Sequence, residues 1–133
     1  MRQKRNYHGL SDSGVFYRDR DEWLRYLTTR SDYDASTRVI GCYIALRINP
    51  ETRETWPKQT TIADDTGLAV MTVKRAVWRL VSDRLLSVRV RRPIIGGRNP
   101  VNHYSLVHPA DSEGSSMNHD SGFTHEPPNR ITE

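Results

Sequence analysis

With 133 residues and only 35% hydrophobic content, the chain has material for one small core and not for two. No apolar run reaches membrane-spanning length, and the first fourteen residues lack the apolar h-region of a secretory signal, so the cytoplasm is the expected compartment. A single cysteine, Cys42, excludes an intramolecular disulfide and reads as a small buried thiol. The net charge of +4 is unevenly spread: Lys58 to His108 holds nine Lys or Arg against three Asp, a net +6, while Pro109 to Glu133 holds one Arg against five acids, a net −4. A polyanion is drawn to the first segment and repelled by the second, although a solvated charged face gives the same count.

Residues 1–14 are polar, with Arg2, Lys4 and Arg5 close together, and read as a flexible basic arm. Residues 15–108 carry the periodic patterns of a folded domain, and 109–133, rich in Ser, Pro, Asn and acids, read as a disordered acidic tail. Within the domain, Asp21 to Thr29 places Trp23, Leu24, Tyr26 and Leu27 at near-helical spacing, with Asp19 or Asp21 as the N-cap and Trp23 and Leu27 facing the core. Asp34 to Ile48 predicts a longer helix that buries Val39, Tyr43 and Leu46 with their neighbours Ile40 and Cys42, stopped by Asn49 and Pro50.

Two short helices follow. Gln59 to Thr66 offers Ile62 and Ala63 to the core, and Gly67 supplies a turn. Beyond it Leu68, Val73, Ala76, Val77 and Leu80 share one helical face, leaving Thr72, Arg75 and Arg79 on the other with Lys74 beside them. This is the layout of a helix-turn-helix, whose second helix can enter a DNA major groove. The period then changes from 3.6 to 2. Leu86, Val88 and Val90 alternate with Ser87, Arg89 and Arg91, and His103 to Val107 is the natural partner strand, with Tyr104 and Leu106 inward. Gly96, Gly97, Asn99 and Pro100 form the intervening turn around Arg98. The expected fold class is mainly α with a small β-hairpin, an α+β winged helix-turn-helix.

The segment INPETRETWPKQTTIADDTGLAVMTVKRAVWRLVSDRLLSVRVRR resembles the winged helix-turn-helix domains of bacterial, plasmid and phage replication-initiation proteins and related transcriptional regulators. The resemblance covers Asp34 to about Val107. It is carried by Asn49, Pro50, Glu51 and Thr52, by Trp56 and Pro57, by Ile62, Ala63 and Gly67, and by Thr72, Val73, Arg75 and Ala76. It implies a non-enzymatic protein that binds double-stranded DNA without a cofactor, as a regulator or an initiation factor. Homodimers that read paired half-sites would suit such a protein, and a replication or transcription protein could dock on the tail near Phe123. The chain departs from the family at Lys58 and Ala69, where a small hydroxyl residue usually caps a helix, and at Val70 and Met71, where polar or basic residues are usual.

On this picture Thr72, Arg75 and Arg79 face the groove, with Arg75 as a base contact, Arg79 as a phosphate contact and Lys74 beside them. Met71 can touch a thymine methyl. Lys58, Gln59 and Thr60 stand where a helix start can hold a phosphate, or are ordinary helix-start residues. Arg89, Arg91, Arg92 and Arg98 are wing contacts to the backbone, or basic residues that blunt a strand edge. The scattered histidines find no cysteine or carboxylate at zinc-ligand spacing, and no catalytic constellation is visible. A protein-interaction module and a binder of structured RNA stay open as alternatives.

Overall fold

Ser11 starts the first helix. In the computed structural model, which describes Gly9 and residues 11–92 and 99–112, its side chain accepts a hydrogen bond from the Gly14 N–H and caps α1 (Asp12–Thr28). The helix is therefore twice as long as the run from Asp21 predicts, and it takes in Asp12 to Gly14 of the sequence-predicted arm. The caps expected at Asp19 or Asp21 lie inside it. Phe16 is the reason for the extra turns, since it is buried together with Trp23 and Leu27 and all three need one continuous face.

Asp34 caps α2 (Ala35–Leu46) through the Thr37 N–H, and the helix ends at Arg47, just before Asn49 and Pro50. Its core face is Ile40, Gly41, Ile44 and Ala45 with Thr37, which keeps Ile40 of the stripe the sequence suggests and turns away from Val39 and Leu46. Val39 and Leu46 are 46% and 58% exposed, and Tyr43 and Cys42 are half-buried. Both sides of α2 are apolar, so the pattern alone could not choose between them. Gly41 decides it, because a Cβ there would come within 2.5 Å of the Leu27 side chain and close to Leu80 and Trp23.

The first helix of the pair that follows matches the expected bounds, while the second begins at Val70, so Leu68 packs on the core from the turn and not from the helix face. In α3 (Gln59–Thr66) Ile62 and Ala63 are buried, and Gly67 closes the helix in the left-handed region at φ 75°, donating to the Ala63 carbonyl at 2.9 Å. In α4 (Val70–Ser82) Val73, Ala76, Val77 and Leu80 are buried against α2 and α3. Neither N-cap, Lys58 or Ala69, makes a side-chain cap, so the departures seen in the sequence are real gaps in the structure.

The hairpin pairs β1 (Leu86–Arg91) with β2 (Val101–Leu106) in antiparallel register, Leu86 opposite Leu106 and Arg89 opposite His103. Leu86 and Tyr104 are fully buried, Val88 and Leu106 half-buried, and Val90 is 45% exposed opposite a buried Asn102. Thr55 adds an isolated antiparallel pairing to Tyr104 on the outer edge of β2. A single helical turn, α5 (Pro109–Ser112), ends the described chain. The result is a small mainly-α domain of five helices among the described residues with a β-hairpin after the helix pair, an arrangement compatible with winged helix-turn-helix architecture. No described helix is long and apolar enough to cross a membrane.

Candidate nucleic-acid interface

The solvent face of α4 is built by subtraction. Once Val73, Ala76, Val77 and Leu80 turn inward, Met71 and Arg75 are left exposed, with Thr72 and Lys74 half-buried on either side. Arg75 makes no ion pair with any described residue. Lys58 and Thr60, at the start of α3, are exposed as well.

Two of the sequence-predicted contacts differ in their surroundings, Gln59 being buried and Arg79 ion-paired. Gln59 is fully buried, and its side-chain oxygen and nitrogen have no hydrogen-bond partner among the described residues. Its side chain is turned away from solvent. Arg79 bonds Asp83 through Nε at 3.0 Å and Asp32 through a terminal nitrogen at 3.3 Å, with its guanidinium 4.5 Å from the centre of the Tyr33 ring. Its hydrogen bond to Asp83 holds its pKa above the ordinary arginine value. It clamps α4 to the loop before α2. Asp83 is four residues along the helix, a spacing the sequence displays, but Asp32 is 47 residues upstream and only the fold brings it near.

The outer face of the hairpin carries a second basic group. Arg89 and Arg91 are exposed and share Glu54, which also lies 3.1 Å from His103 Nδ1. Burial pushes the Glu54 carboxyl up, but its bond with His103 and the two guanidinium charges outweigh this and hold it below its usual range. Two arginines against one carboxylate leave the face positive. Arg92 is exposed beside them, and Arg98 lies outside the described residues. Trp56, 50% exposed, stacks on His103 with ring centres 5.0 Å apart. The sequence reading used Trp56 and Pro57 only as marks of resemblance and gave the tryptophan no role at the interface.

The histidines are less isolated than their spacing suggested. Asp19, Glu22 and His108 converge so that their ligand atoms all lie within 4.8 Å of one another. Asp19 and Glu22 share a face of α1, but His108 lies 86 residues from Glu22, beyond the reach of any local motif. Ala110 donates its N–H to His108 Nδ1 at 3.1 Å, which assigns the neutral ring's proton to Nε2, 2.7 Å from Glu22. The arrangement is a latch between α1 and the end of the hairpin. No nucleophile, base and orienting group come together among the described residues. Burial pushes the Cys42 thiol up, away from thiolate chemistry.

No protein-family model matches the chain, and no curated protein matches it.

Proposed function

We propose that the chain binds double-stranded DNA, with α4 against the major groove and the hairpin along the neighbouring backbone, in the service of transcriptional regulation or replication initiation of bacterial, plasmid or phage type. The observation that carries this is the exposed Met71 and Arg75 surface of α4, flanked by half-buried Thr72, on an apolar-backed helix that follows a tight turn and precedes a basic hairpin. Arg75 is the principal groove contact, Lys58 and Thr60 hold a phosphate at the start of α3, and Arg89, Arg91 and Arg92 grip the backbone from the hairpin. Arg79 and Gln59 drop out of the contact set, since one is spent on the clamp and the other is buried.

Duplex affinity measured across a salt series tests the reading. Arg75→Ala should weaken binding about 5- to 100-fold and flatten the salt slope by about one ion, whereas Arg79→Ala should act mainly on stability. Duplex binding that ignores salt and Arg75 alike would remove the proposal.

A further inference from the structure

Trp56 is the largest exposed aromatic side chain in the described structure, and the pleat explains where it points. Thr55 pairs with Tyr104 through both backbone bonds, 3.0 and 2.8 Å, and both side chains are buried, so Thr55 faces the core. Its neighbours Glu54 and Trp56 must then lie on the opposite face of the sheet. His103 lies on that face too, beside Tyr104, and so does Arg89, its cross-strand partner, with Arg91 two residues on. Backbone alternation alone thus collects an indole, an imidazole, two guanidiniums and one carboxylate on a single surface.

The group is organised for stacking. His103 covers one side of the indole at 5.0 Å and 25° between planes, and Glu54 steadies the imidazole at 3.1 Å from Nδ1. Pro57 restricts the backbone of Trp56 toward extended geometry. The half of Trp56 that stays in water is thus one side of a ring whose other side is held. Beside it stand Arg89 and Arg91, 57% and 52% exposed at the side chain, in excess over the single carboxylate they share. A flat aromatic face next to surplus cations is the chemistry that holds an unpaired base by its π-surface and its flanking phosphates by charge.

We propose that Trp56 and His103 form a stacking platform for one unpaired base of single-stranded DNA, with Arg89 and Arg91 on the adjoining phosphates. The proposal deepens the duplex-binding reading and rests on it for the choice of DNA over other polyanions. It adds a preference, because a fully paired helix keeps its bases out of the platform's reach. Duplex and single strand then share Arg89 and Arg91 but part elsewhere, the first depending on Arg75 and the second on Trp56.

The test compares oligothymidine with a fully paired duplex of equal length, using tryptophan emission and affinity for both. Oligothymidine should quench the emission of the intact protein, and Trp56→Phe should abolish most of the quench, since Trp23 is buried and Trp78, half-buried on α4, lies away from the platform face of the hairpin. Trp56→Ala should lower oligothymidine affinity about 5- to 100-fold while duplex affinity changes less than about twofold. Trp56→Phe, which keeps a smaller ring, should fall between. Unchanged emission, an unchanged Trp56→Ala affinity, or an equal loss for both DNAs would overturn the platform, and so would a marked preference for oligouridine. Duplex binding lost with oligothymidine binding intact would instead remove the duplex reading and leave the platform standing.

Discussion

Arg75 and Arg79 are one helical turn apart on α4 and have opposite surroundings. Arg79 belongs to a cluster in which Tyr33 donates its hydroxyl to Asp83 and Arg30 bonds both oxygens of Asp32. The clamp's charges fix several pKa values. The hydrogen bond from Arg30 holds Asp32 down to about 2, and Thr37 lowers Asp34 through its hydrogen bonds. Glu54 also lies low. Carboxyls depressed in the folded state stabilise it at pH values above their ordinary 3.8 and 4.5, and that contribution is lost as pH falls toward 2. Tyr33 shifts the other way, raised above 10.0 by burial and then by Asp83, so its contribution is full below 10.0 and drains away as pH rises beyond it. Urea midpoints plotted against pH should therefore fall at both ends, and Tyr33→Phe should remove the alkaline limb that Tyr33 supplies. A limb unchanged by that substitution would contradict the assignment.

At the scale of elements, what the sequence made legible is the helix pair and the hairpin. Gly67, the run of Val73, Ala76, Val77 and Leu80, and the alternation from Leu86 announce themselves because one face is apolar and the other is not. The face of α2 and the start of α1 were hidden for different physical reasons. On α2 apolar residues occupy both sides, and the side that packs is chosen by close approach at Gly41, a residue without hydrophobicity to read. On α1 the polar residues between Asp12 and Trp23 conceal a buried Phe16, and the cap belongs to Ser11. The site was half legible: exposure of Arg75 follows from its own helix, while the pairing of Arg79 with Asp32 and the gathering around Glu54 depend on residues distant in the chain. The uncapped start of α4 yields a direct prediction. Ala69 already has the extended backbone of an N-cap, φ −70° and ψ 150°, and is exposed, so Ala69→Ser should stabilise the protein by about 1 kcal/mol in urea unfolding. No gain would mean that water already serves the free N–H groups at that helix start.

For the molecule as a whole, α1 is bound into the core rather than appended to it. The Trp23 indole N–H donates to the Leu85 carbonyl at 2.8 Å in a buried setting, and the same carbonyl receives Val107 N–H at 3.0 Å. One oxygen thus joins the first helix, the connection between α4 and β1, and the residue just after β2. Trp23→Phe should cost about 2 to 4 kcal/mol, because the indole bond is lost and the smaller ring leaves a cavity, while the Val107 bond keeps the oxygen satisfied. Its signature would be a lower urea midpoint with native far-ultraviolet dichroism, and an unshifted midpoint would show the bond to be dispensable. The position of Leu85 also bears on how this protein could be cut and rearranged. A fragment reduced to the two motif helices and the hairpin would have the footprint of a binding module, yet it would leave a tryptophan-sized hollow at the junction. Grafting those residues onto another scaffold would require supplying that missing partner, so the smallest transplantable unit begins near Ser11 rather than at the motif.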